Sequence, residues 1–283
     1  MSNSPCFPPE LERYIFETAA LLYPHTISRL LPVARRVLIW IEPLLYRRVY
    51  FDGLIKKSGP AAAILRAIQN GSKPTDFFAT TTRYLCIASL ELNVFFSRPE
   101  KREWSNGNLE TVFRACSGVD NLFFFGDIEK PKLLEMVTET MRPRRIVMIL
   151  DLVGTQPDLS LSLFDNITHL LLGDINLPNN ILDENWDQLA NLQNLPRLTH
   201  LALSECSTSL VLVSMLLSGC THLQCFVVFT QDPIPSLDGI HDARFSIVLT
   251  PEGIILDDGV PRDLWARVEG GIRRYTDVFR LDS

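Results

Sequence analysis

Three stretches of the chain share a tripeptide: Asn166–Asp174 reads NITHLLLGD, Arg197–Glu205 reads RLTHLALSE and Cys220–Val228 reads CTHLQCFVV. A recurring Thr-His-Leu has two readings, a histidine-based site or the trace of a structural repeat. The wider spacing decides between them. Apolar residues follow an apolar-x-x-apolar-x-apolar pattern at Ile167, Leu170 and Leu172, at Leu198, Leu201 and Leu203, at Leu223, Phe226 and Val228, and at Val119, Leu122 and Phe124. His169 and His200 sit inside the pattern, whereas His222 precedes it. What repeats is the apolar spacing, not the histidine.

The pattern begins at residues 119, 167, 198 and 223. Pro143, Ile146 and Met148 supply a copy midway through the first gap. Leu85 and Ile87 mark an earlier one, and ARFSIVL, ending at Leu249, a degenerate last one. Helical stretches lie between the copies: from Pro60 to a stop at Gly71, from Asn108 as N-cap to Gly118, from Pro131 to just before Pro143, from Asp183 as cap, and up to Gly219. Strand and helix alternating at roughly 20–30 residues resemble a leucine-rich-repeat-like solenoid. The predicted fold class is α/β: an irregular repeat domain over 51–283 with a mostly parallel sheet and right-handed crossovers. At the carboxyl end, Pro261 and Asp263 open a helix whose apolar stripe, Leu264, Trp265, Val268 and Ile272, is expected to cap the last repeat.

Alternation along a strand sends Leu201 and Leu203 to one face and His200 and Ala202 to the other. The equivalent positions elsewhere are often apolar: Phe123, Phe125, Val147, Ile149, Leu171, Val227 and Phe229. Such a face is either covered by a terminal segment or is a binding surface. The candidate target-binding residues on it are Phe123, Phe125, Val147, Leu171, His169, His200 and Val227. On strands ~4.8 Å apart, His169 and His200 stand close enough for a ligand-binding or pH-sensitive pair, or for two histidines hydrogen-bonded at a half-covered surface.

Residues 7–50 read differently. Pro9 and Glu10 open a helix with Leu11, Ile15, Phe16, Ala19 and Leu22 on one side, broken by Pro24. A second helical stretch from about Thr26 carries Ile27, Leu30, Leu31, Ala34, Val37 and Leu38, with Pro32 near its start or kinking it. Trp40, Leu44, Leu45 and Tyr46 continue around Pro43. Three short helices make a marginal domain alone, so this module is expected to lean on the repeat domain, on a partner, or on both.

This stretch resembles an F-box. That motif opens with Leu-Pro-x-Glu-Leu followed by Ile-(Leu/Phe), matched by Phe7, Pro8, Glu10, Leu11, Ile15 and Phe16. Its centre, Leu-x-x-Val-(Cys/Ser)-(Arg/Lys), is matched by Leu30, Val33, Ala34 and Arg35, and its close, Pro-x-Leu-(Trp/Tyr), by Pro43, Leu45 and Tyr46. Two positions depart from it: Phe7 replaces Leu, and Val37 stands where an aromatic is usual, with Trp40 one helical turn on. An F-box followed by degenerate leucine-rich-type repeats is a common arrangement, with large lineage-expanded sets in fungi. The resemblance implies an F-box-like module over 1–50 in the substrate-recognition subunit of a cullin–RING (SCF-type) ubiquitin ligase. The module would dock on a Skp-type adaptor, and the repeat domain would hold an unknown protein target. Adaptor-facing residues by motif position are Pro8, Leu11, Ile15, Leu30, Leu31, Val33 and Leu45, with Pro9 added as their neighbour. Arg35 and Arg36 would face an acidic adaptor. No catalysis and no cofactor are implied. The alternatives are a protein-binding scaffold whose F-box-like region is only structural, and an α/β hydrolase-like enzyme.

Bulk properties fit this class. The chain has 283 residues, 46% of them apolar, and a net charge of −6. Residues 1–59 hold eight Lys or Arg against five Asp or Glu, leaving −9 on the remaining 224. The acidic balance argues against nucleic acid as a partner. The opening MSNSPCFPPELER has no signal-peptide pattern, and no apolar run, LVLVSMLL at 210–217 included, reaches the ~18–20 residues needed to span a bilayer. An intracellular protein with reduced, scattered cysteines is expected. Cys220, His222 and Cys225, with Cys206 upstream, form the best local metal-like cluster, but no second paired knuckle accompanies them. Gly-x-Ser-x-Gly, His-Glu-x-x-His and glycine-rich phosphate-binding signatures are all missing from the sequence.

Overall fold

The computed structural model describes residues 7–51, 60–74, 76–88, 106–126, 131–150, 158–174, 186–204, 210–230, 237 and 239–249. The expected capping helix after Pro261, the proposed cap Asp183 and residues 1–6 lie outside them. Eight parallel strands form one sheet in chain order: β1 (Arg48–Phe51), β2 (Tyr84–Ala88), β3 (Asn121–Gly126), β4 (Arg145–Leu150), β5 (His169–Asp174), β6 (His200–Ser204), β7 (Cys225–Thr230) and β8 (Phe245–Leu249). Seven of these are the strands expected from the apolar spacing. The eighth, β1, was not expected, yet Tyr46, Val49 and Phe51 carry the same apolar-x-x-apolar-x-apolar spacing. The boundary drawn at residue 50 therefore cuts through a strand: the helical module ends at Leu45 and the next residues join the sheet.

The repeat has a hydrogen-bond signature at the point where each strand begins. The carbonyl just before one strand accepts two N–H groups from the start of the next. Arg47 O takes Arg83 and Tyr84 N–H at 3.0 Å each, Asp120 O takes Arg144 and Arg145 at 2.9 and 3.0 Å, and Thr168 O takes Thr199 and His200 at 3.0 and 2.9 Å. The same holds for Arg83 O, Arg144 O and Thr199 O.

Helices α4 (Pro60–Gln69), α5 (Phe77–Thr81), α6 (Asn106–Ala115), α7 (Pro131–Thr140) and α8 (Leu210–Gly219) connect the strands. They pack on one face, where Ile64, Phe78, Phe113, Val137 and Leu216 meet Leu85, Leu122, Ile146, Leu170, Leu201 and Phe226. Among the described residues the strands run in unbroken chain order, with no reversal of the kind that opens the nucleotide-binding crevice of doubly wound sheets. Helix α4 stops at Gly71, whose φ of 58° a β-carbon would strain. The segment expected as a helix after Asp183 is instead a 3₁₀ run over Trp186–Asn194. Leu189, Leu192 and Leu195 recur every three residues, which suits three residues per turn. Helix α6 begins at Asn106, so Asn108 lies inside it rather than capping it. No described helix is long and apolar enough to cross a membrane.

One close approach fixes how α5 meets the turn after α6. A β-carbon on Gly118 would lie 2.0 Å from the carbonyl oxygen of Ala79, a backbone atom that cannot swing aside. Gly107, in α6, has nothing within 4 Å of the same position. Gly118→Ala is therefore expected to destabilise the fold by about 1–3 kcal/mol through overpacking. Gly107→Ala should be neutral or stabilising by up to about 1 kcal/mol. Urea denaturation of the two variants checks the contrast.

Candidate functional site

The amino-terminal module is α1 (Pro9–Leu22), a 3₁₀ turn (Pro24–Thr26), α2 (Ile27–Leu30) and α3 (Arg35–Leu45). The single stretch expected from Thr26 through Leu38 is split in two. Pro32 has no N–H to continue α2, and Ala34 is fully extended (φ −161°, ψ 153°) before α3 begins. Pro43 lies in the last turn of α3, and the Ile39 carbonyl it cannot serve belongs to an exposed residue that water reaches.

Ala20, Ile27, Val37 and Ile41 form a small core of the module's own, lined by Phe16, Leu30, Leu31, Ala34, Trp40 and Leu44. Val37, at the position where an aromatic is usual, is completely buried there. The module meets the sheet domain only near the end of α3 among the described contacts. Tyr46 packs edge-on against Phe77 and Phe78 at 5.7 and 5.2 Å, and Glu42 receives Lys73 Nζ at 2.6 Å.

This leaves the far side of α1 open. Leu11, Ile15 and Leu22 recur at i, i+4 and i+11, opposite the buried Phe16–Ala20 side, and are 53%, 50% and 66% exposed. Tyr14 and Leu21 flank them, and Val33, Ile39 and Leu45 add exposed apolar surface from the α2–α3 segment. A helix that is apolar on both sides has a second face without a partner among the described residues. Of the adaptor-facing candidates, Pro8, Pro9, Leu11, Ile15, Val33 and Leu45 are exposed, while Leu30 and Leu31 are half-buried in the module core. Arg35 is exposed, and Arg36, exposed as well, donates from Nε and an Nη to the Glu12 carboxylate at 2.8 and 2.6 Å. That contact holds the Glu12 carboxyl below its ordinary range and ties α1 to α3.

The sheet's second face is a correction. Phe123, Val147, Leu171 and Val227 were candidates for target binding, but they are 5%, 8%, 0% and 0% exposed and form a second core with Cys86, Ala202, Cys225 and Phe229. A parallel sheet buries both faces, which is why its strands read as continuous apolar runs. The side chain of Phe125 lies outside the described residues. The thiol of Cys86 in this cluster is pushed up to about 12 by burial, so it stays protonated.

At the margin of the same face, His169 and His200 are opposite one another in the register and stack ring on ring, 4.1 Å apart and 4° from parallel. The Thr-His-Leu repeat now has a physical meaning. Thr199 Oγ1 donates to Thr168 O (3.0 Å) and Thr168 Oγ1 to Arg144 O (3.2 Å). With each hydroxyl hydrogen so used, the ring Nδ1–H donates to the threonine oxygen, at 2.9 Å for His200 and 2.8 Å for His169. Threonine ties one strand to the next and orients the ring, while leucine enters the main core. The third copy is not equivalent: His222 is exposed and precedes β7, while Cys220 and Cys225 are buried. Among the described residues no group of three His, Cys, Asp or Glu is placed to hold a metal ion.

Neither a protein-family model nor a curated protein sequence matches the chain.

Burial, then the neighbouring His200 and Arg145 charges, lower the His169 pKa to about 3. The unfolded chain, titrating near 6.5, binds the proton first. Stability therefore falls as pH drops from about 6.5 toward 3, by at most about 1.4 kcal/mol per pH unit from this group. A His169→Gln variant should show a shallower loss over that range, as read from urea midpoints at stepped pH.

Proposed function

We propose that the chain is a substrate-recognition subunit of a cullin–RING ubiquitin ligase, docking on a Skp-type adaptor through its F-box-like helices and holding a protein target on the leucine-rich-repeat-like domain. The observation that carries this reading is the solvent-facing stripe of Leu11, Ile15 and Leu22 on a helix whose other side already has its core. The motif residues implied as adaptor contacts lie largely on that open surface. A purely structural module would instead turn these residues onto the sheet domain, whereas the described contacts there come from Glu42 and Tyr46. The reading assigns no chemistry to the chain and places its work inside the cell.

A pulldown and a titration with purified Skp-type adaptor test it. Wild-type protein should bind stoichiometrically. Leu11→Ala/Ile15→Ala, which removes two exposed side chains, should leave the melting temperature unchanged within about 2 °C. It should also weaken binding roughly 100-fold, about 1.4 kcal/mol for each truncated contact. Wild-type protein that does not bind overturns the receptor reading and leaves the module as a scaffold element.

A further inference from the structure

The chain is acidic overall, at −6, yet the margin where its first strands begin is cationic. The two residue rows that open β1–β4 are Arg47–Arg48, Arg83–Tyr84, Asp120–Asn121 and Arg144–Arg145, held side by side by the strand-start hydrogen bonds and the register. They contain five arginines and one aspartate. With neighbouring strands ~4.8 Å apart, all five guanidinium groups spring from a strip about 15 Å long.

Among the described residues little neutralises them. Asp120 reaches Arg83 only at 3.7 Å, with both side chains about half exposed. Arg48 lies over the Tyr84 ring, 5.3 Å from its centre. Arg144 and Arg145 are exposed and make no ion pair among the described residues. Elsewhere Arg13, Arg36, Arg114 and Arg244 are each held by a carboxylate within 2.7 Å, and the exposed Arg29 and Arg197, which have no such partner among the described residues, stand singly. Like charges gathered without counter-charges raise the local potential and draw an anion of matching length.

We propose that this arginine margin binds an acidic, extended peptide segment of a partner protein, its carboxylates meeting Arg83, Arg144 and Arg145. The margin's rings favour a peptide over a single-stranded nucleic acid. Tyr84 already carries Arg48, and His169 is stacked on His200, so the rings that would serve as base-stacking platforms are engaged. The proposal stands on the charge arrangement alone and does not depend on adaptor docking.

The test uses the full chain and a fluorescein-labelled octaglutamate probe, read by anisotropy at low and moderate salt. Wild-type protein should bind the probe, with affinity falling as salt rises. Arg144→Gln/Arg145→Gln should weaken binding about tenfold, and Arg83→Gln, on a different strand, should weaken it too if the pair variant is unstable. Arg13→Gln/Arg114→Gln, which removes paired arginines elsewhere, should change it less than about twofold. Absence of probe binding, equal losses in the control variant, or tighter binding of an oligothymidylate of equal charge would each overturn the proposal.

Discussion

The structure depends on one carbonyl per strand. Each residue just before a strand offers its C=O to two successive N–H groups at the start of the next, from Arg47 through Thr199. That double acceptance sets the register, and the register sets everything on either side. One residue before the pair, Tyr46, Thr82, Val119, Ile167, Leu198 and Leu223 point toward the main core. Two residues after the carbonyl, Val49, Leu85, Leu122, Ile146, Leu170 and Leu201 do the same. The intervening positions build the second core and the margin of arginines, asparagine and histidines. A slip of one residue would exchange the two faces along a whole strand.

The strands are parallel and run in chain order, and the described helices α4 to α8 pack on one face, yet the other face is apolar too. Its burial changes what the protein can offer a partner. The apolar sheet face is interior, so the exposed candidates are the open side of α1 and the charged margin of β1–β4. The two lie at different parts of the fold and have opposite chemistries: one suits an apolar helical groove, the other a string of carboxylates.

Much of this was legible in the chain because the apolar spacing reports directly on the buried strand positions. Seven strands were located by it, and Gly71, Pro131 and Gly219 marked helix ends through backbone chemistry that does not depend on context. The misses have particular causes. Tyr46 was absorbed into the helical motif, which hid the same spacing in Tyr46, Val49 and Phe51. The stretch after Asp183 was expected to be an α-helix, whereas leucines three apart at 189, 192 and 195 fit the tighter 3₁₀ winding seen there. The sheet face around Leu171 could not be resolved from composition, since an apolar face looks the same whether covered or exposed. The cationic margin was invisible for another reason: its arginines are scattered from 47 to 145 along the chain, and only strand pairing gathers them.

The most direct measurement is hydrogen–deuterium exchange of the full chain with and without a Skp-type adaptor. The account predicts added protection confined to residues 9–22 and 33–45, with β3–β6 unchanged because their amides are already locked in the sheet. Exchange in α1 unaffected by a bound adaptor, or new protection appearing instead across Leu122–Leu203, would contradict it.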